Sequence, residues 1–137
     1  MPNKIDIINE ARKWLGIPWR HQGRTKKGID CIGLILNVGK SLGLIDYNLR
    51  IQNYSRLPDP INTQNTINQY VLQSEEMDTG DILWIKITNI PMHFAFYDKE
   101  KGTIIHSFQT IGKVAEQTFD NKWRKRLHSH YRFIGIE

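Results

Sequence analysis

Three residues of this 137-residue chain have the types needed for covalent catalysis by a thiol: Cys31, the sole cysteine, and then His93 and His106. One thiol cannot form an internal disulfide, so Cys31 is structural, reactive or incidental. Asp30 reads as an N-cap, and Ile32, Leu34, Ile35, Leu36 and Val38 follow as a helix that buries most of its surface. A cysteine at the first helical position lies beside unpaired backbone N–H groups and the positive end of the helix dipole. Both favour thiolate over thiol, so alkylation well below pH 8 is expected. The competing reading is a small buried hydrophobe, because free cysteines are usually buried.

A cysteine nucleophile needs a base to take its proton and a third group to orient that base. His93 and His106 each fall in one arm of an expected hairpin, His93–Tyr97 and Thr103–Phe108. Pairing Tyr97 with Gly102 would set His93 directly opposite His106, with Cβ atoms roughly 5 Å apart on one sheet face. A slip of one residue would put them on opposite faces. One ring would then act as base while the other fixes its tautomer. Zinc bound by Cys31, His93 and His106, with Asp30 as a fourth ligand, is the alternative, but no short ligand pair such as C-x-x-C or H-E-x-x-H is present. No metal and no cofactor is therefore expected. His128 and His130 read as structural, and His21 as a residue of the loop before the cysteine that lines the cleft.

The elements that must position these groups follow from local signals. Asn3, with Asp6 three residues on, reads as a near capping box, opening a helix whose buried stripe is Ile5, Ile8, Ala11 and Leu15. Gly16 and Pro18 stop it, and 18–28 reads as a basic loop feeding the Cys31 helix, which ends near Leu42 and Gly43. The Asn- and Gln-rich segment 45–77 carries a weak helical pattern at 63–72 and is the place for a specificity loop. From Asp81 the texture changes to strands: 82–87, 93–97, 103–108, 114–119 and 131–136. Helices first and strands afterwards predict an α+β fold, with N-terminal helices packed on one face of a small antiparallel sheet.

At 137 residues the chain has room for one domain, 1–137, with a real core. Hydrophobic content of 39% with four tryptophans argues against disorder. No apolar run approaches the roughly 18 residues of a membrane span, so no membrane partner is expected. The mixed polar start, 1–12, does not read as a signal peptide, which implies synthesis in a cytoplasm and delivery by other means. A net charge of +5 suits any polyanion. The basic runs 20–27 and 122–126 lack the aromatic or zinc-finger punctuation of nucleic-acid modules, so they read as solvated faces and no nucleic acid is expected.

The stretch Trp14-Leu15-Gly16-Ile17-Pro18-Trp19-Arg20-His21-Gln22-Gly23, followed by Gly28-Ile29-Asp30-Cys31-Ile32-Gly33-Leu34, resembles the start of an NlpC-type peptidase domain. Gly80-Asp81-Ile82-Leu83, His93-Phe94-Ala95-Phe96-Tyr97 and Ile104-Ile105-His106 match that family in order. Pro18–Gln22, Trp123–Arg126 and Tyr131–Phe133 are most similar to its short phage-tail branch. The resemblance implies a papain-like cysteine peptidase acting on stem peptides of bacterial peptidoglycan, at the γ-D-glutamyl–diamino-acid bond or a related amide. It makes Cys31 the nucleophile, His93 the base and His106 the orienting residue, with Trp19, His21, Asp30 and Ile32 at the substrate. Delivery in a virion or release on lysis, with phage tail proteins as partners, follows from the same branch. Two positions depart from the family: Trp19 replaces a tyrosine, and Ile32 replaces the serine after the cysteine. An indole N–H donates a hydrogen bond but cannot accept one. An amidase or acyltransferase of the same fold, or a non-catalytic tail-assembly protein, are the other readings. Lipid-acting relatives place histidine before cysteine, the reverse of the order here.

Overall fold

The structure, a computed structural model, describes residues 1–51, 65 and 67–137. Helix α1 (Lys4–Arg12) opens on a complete capping box: Asn3 Oδ1 accepts from the Asp6 N–H and Asp6 Oδ2 from the Asn3 N–H, each at 2.9 Å. Its buried side is Ile7, Ile8 and Ala11, while Ile5 and Leu15 are exposed, so the expected stripe is rotated by part of a turn. The loop beyond holds a small hairpin, β1 (Arg24–Thr25) and β2 (Gly28–Ile29), where only irregular chain was expected.

Helix α2 (Cys31–Ser41) starts from Asp30 as N-cap and buries Ile32, Gly33, Leu34, Ile35, Leu36, Val38 and Gly39, as its nearly unbroken apolar run requires. Gly33 is glycine for a packing reason. A Cβ there would lie 2.4 Å from the Gly23 carbonyl oxygen and 2.8 Å from Ile29, so the loop sits directly on the helix's first turn.

The remaining elements are β3 (Val71–Gln73), β4 (Ile82–Ile87), β5 (Ile90–Asp98), β6 (Thr103–Phe108), β7 (Lys113–Thr118), α3 (Asn121–Arg124) and β8 (Leu127–Phe133). They build a six-stranded antiparallel sheet in the order β3-β8-β4-β5-β6-β7. The architecture is the α+β expected, with one strand more. β3 takes Val71 and Leu72 out of the helix read at 63–72. Of that segment Asn65 and Ile67 are helical, and 63, 64 and 66 lie outside the described residues, as does 52–62 of the expected specificity loop.

Alternation along the strands splits the core between the two sheet faces. Ile82, Trp84, Phe94, Phe96 and Ile105 join the helices on one face. Leu83, Ile85, Ala95, Tyr97 and Ile104 face the other, where Phe119 and Trp123 close the layer. Part of the basic run 122–126 thus forms the short helix α3, whose Trp123 is buried while its charges stay outside.

Candidate active site

Asp30 holds the helix start through both of its oxygens. Oδ1 accepts from the Gly33 N–H at 2.8 Å and from Arg24 Nη1 at 3.0 Å, and Oδ2 accepts from the Gln22 N–H at 2.8 Å. The last bond holds Gln22 at φ +59°, a left-handed conformation uncommon for a residue with a side chain. Two residues before the cysteine, the Ile29 carbonyl accepts from Ser107 Oγ at 2.6 Å, so the loop is tied to β6 next to His106. Ser107→Ala leaves this carbonyl with only the longer, 3.3 Å bond from the Arg20 N–H and is expected to cost about 1 kcal/mol in urea unfolding. An unchanged midpoint would show that the tie carries no load.

The β5–β6 ladder pairs Tyr97 with Ile104 and Asp98 with Thr103, not Tyr97 with Gly102. The register therefore differs by two residues from the one expected, because the turn keeps its four residues but encloses 99–102 instead of 98–101. Two is the side-chain period, so His93 and His106 keep a common face but meet on the diagonal instead of directly opposite. Their rings are joined, His93 Nε2 to His106 Nδ1 at 2.7 Å. His106 Nε2 continues the row to Gln117 Oε1 on β7, also at 2.7 Å. Register pairs between β5 and β6 end at Phe96–Ile105, and beyond that point the Phe94 N–H is directed at the Cys31 sulfur. The thiol thus meets the sheet at the residue after His93. With Nε2 engaged, His93 has Nδ1 as the nitrogen to offer the thiol.

His93 and His106 are 5% and 0% exposed, enclosed by Phe108 and Trp123. Burial lowers the pKa of His93 well below 6.5, with His106 adding to the effect. Burial likewise takes His106 down to about 4, against the opposing bond to Gln117. Both rings are neutral at pH 7. The unfolded chain therefore binds protons below pH 6.5 that the folded chain refuses, so stability falls as pH drops from 6.5 toward 4. Between pH 7 and pH 5 the loss should be about 2 kcal/mol per histidine, read from denaturant midpoints. A midpoint that stays flat over that range would remove the burial argument.

The thiol departs from expectation. Burial first, and the neighbouring Asp30 charge second, push Cys31 up to about 12, against the favourable N–H groups of Phe94 and Ile32 and the charge of Arg24. The helix terminus does not overcome desolvation here. The resting pair is thus neutral thiol and neutral imidazole, and alkylation of Cys31 should show a midpoint above the free-thiol value of about 8.5. A midpoint below 8 would restore the thiolate.

Of the other expected site residues, Trp19 and His21 stack at 6.5 Å and are half-buried. Trp19 also bridges Ile29, which places both rings near the thiol end of the loop. Ile32 is 5% exposed in the main apolar cluster, since its position on α2 points inward. Asp30 is 4% exposed and bonded within the loop, which gives it a structural task. His128 and His130 bond to Ser129 and Ser74. Among the described residues no three His, Cys, Asp or Glu side chains are grouped to hold a metal ion. Gln117 and Trp123 escaped the sequence reading because only the register of β6 with β7 and the placement of α3 bring them to the histidines. Phe108, two residues on from His106 in β6, was marked by strand alternation and passed over.

Residues 16–132 match the NlpC/P60 family. The chain is 24% identical over 132 residues to the murein DD-endopeptidase MepS/murein LD-carboxypeptidase of Escherichia coli K12, covering 96% of this chain and 64% of that protein. It is 23% identical over 124 residues to the probable endopeptidase NlpC of the same strain, covering 88% of this chain and 72% of that one. Among solved structures, the NlpC/p60 domain of the peptidoglycan hydrolase SagA superposes with a TM-score of 0.64 at 20% identity, over 93% of this chain and 97% of that one. An NlpC/P60 family protein from Bacillus cereus gives 0.70 at 23% identity, over 96% of this chain and 40% of that one. Cys31, His93 and His106 lie in that order within the matched span, and this chain belongs to the NlpC/P60 family.

Proposed function

We propose that this chain is a cysteine hydrolase of bacterial peptidoglycan, cutting an amide bond of the stem peptide with Cys31, His93 and His106 as its triad. The observation that carries this reading is the hydrogen-bonded His93–His106 pair, adjoining Phe94, whose N–H is directed at the sulfur of Cys31 at a helix start. As the substrate carbonyl reaches the sulfur, His93 Nδ1 takes the thiol proton and the sulfur adds to the carbonyl carbon. The resulting imidazolium is held by its Nε2–H bond to His106 Nδ1. The Cys31 N–H, which at the first helical position has no intrahelical partner, stabilises the oxyanion. The imidazolium then protonates the leaving amine as the C–N bond breaks. Water, deprotonated by His93, cleaves the thioester to carboxylate and thiol.

The murein endopeptidase names of the relatives support the substrate class. The bond proposed is γ-D-glutamyl–diamino acid, with Trp19 and His21 lining the approach. The segments Pro18–Gln22 and Trp123–Arg126 support a role on a phage tail or prophage particle, as a single peptidase domain that reaches the wall in a virion or on lysis. Mass spectrometry of products from purified peptidoglycan and from a defined muropeptide tests this. New termini within the stem are expected. Cleavage between sugar and stem would indicate an amidase, and intact substrate a non-catalytic protein; either outcome overturns the reading.

A further inference from the structure

The His93–His106 bond has a direction, and nothing in the two histidines themselves decides it. Each neutral imidazole has one N–H and one bare nitrogen, so the pair can be joined with His93 donating or with His106 donating. Only the first arrangement leaves His93 Nδ1 bare and able to take a proton. In the second, Nδ1 carries a proton, so the row offers the thiol no base.

The choice is made one strand further out. His106 Nε2 meets Gln117 Oε1 at 2.7 Å. In the amide orientation that turns Oε1, not the NH2, to the ring, Gln117 accepts, so His106 bears its proton on Nε2 and its Nδ1 is bare. His93 must then donate through Nε2 across the 2.7 Å contact, and its Nδ1 lone pair is left for the thiol. The row is built by register. His106 pairs with Ala115 on β7, which puts Gln117 diagonally beyond it, and His93 lies on the corresponding diagonal on β5. Gln117 is half-buried on the edge strand, whereas both rings are enclosed, so it is the polar group through which the outer end of the buried row is anchored. The adjacent Glu116 is engaged elsewhere, with Arg12 and Thr103.

We infer that Gln117 is a positioning residue that sets the proton polarity of the histidine pair and thereby makes His93 a base. This rests on the hydrolase reading above for its consequence in rate, but not for the polarity itself. Gln117→Glu places an acceptor-only group at the same reach. Gln117→Met keeps the length and removes it.

The test combines nitrogen-15 NMR of the imidazole rings at neutral pH with steady-state release of stem fragments. In wild type and in Gln117→Glu, both histidines should carry their proton on Nε2 and have bare Nδ1, and kcat should agree within about threefold. In Gln117→Met the His93 tautomers should mix. Its kcat should fall about 10- to 100-fold, the scale of lost support behind a catalytic group, with KM within about twofold and melting temperature unchanged. A proton on His93 Nδ1 in wild type overturns the assignment, as does a Gln117→Met protein with wild-type tautomers and kcat. A wild type that releases nothing, yet shows the stated tautomers and loses them in Gln117→Met, sinks the hydrolase reading and leaves the assignment of Gln117 standing.

Discussion

Cys31→Ala is expected to lower release of stem fragments from purified peptidoglycan by about a thousandfold or more while the protein melts as wild type does. The rate follows from covalent catalysis: without the sulfur no thioester forms, and what remains is the weak contribution of binding and the oxyanion site. The intact fold follows from position. The helix start is held by the bonds of Asp30 to Gly33, Gln22 and Arg24, none of which uses the thiol. Exchange of S–H for hydrogen at an N1 position leaves every one of them in place. Digestion by Cys31→Ala at the wild-type rate would end the enzyme reading outright.

Asp30→Ala should do the opposite and damage the fold as much as the chemistry. It strips the N-cap from α2, leaves the Gln22 N–H without its acceptor at a left-handed residue, and removes the carboxylate facing Arg24. An N-cap is worth about 1 kcal/mol, and the charge-assisted bond lost by Arg24, which is partly exposed and still donates to the Gly23 and Ile51 carbonyls, about 1.5–3 kcal/mol. A fall of about 3–4 kcal/mol in unfolding free energy is expected, together with loss of cleavage as the loop releases Cys31. Asp30→Asn retains the Oδ1 acceptor for Gly33 and should recover part of both. Stability within 1 kcal/mol of wild type in Asp30→Ala would show that the loop is held by other contacts.

What could be read from the chain followed the range of each signal. The start of α2 was legible because N-cap chemistry is local: Asp30, Cys31 and the apolar run state it within a few residues. The capping box at Asn3 and Asp6 was legible for the same reason. Helix rotation was less so, since Ile5 and Ile7 are equally apolar and only the packed sheet selects Ile7. The β5–β6 register depended on where the turn closes, and the Asp98–Gly102 span fits more than one closure. The shared face of the two histidines survived because the error was even. Gln117 and Ser107 were invisible because nothing in their own neighbourhoods marks them. Their roles arise from strands brought together across 11 and 78 positions of sequence. The thiol was misjudged because a helix terminus can be read from sequence, whereas desolvation and an adjacent carboxylate act through packing.

That neutral thiol has a consequence for chemical durability. Peroxides and disulfides react with thiolate, so a sulfur kept protonated at rest enters the oxidation ladder slowly. This chain has no second cysteine to resolve a sulfenic acid, and an oxidised Cys31 could not be rescued from within the molecule. In the proposed reaction, holding the proton on sulfur until the substrate carbonyl arrives protects the one atom whose loss would end catalysis.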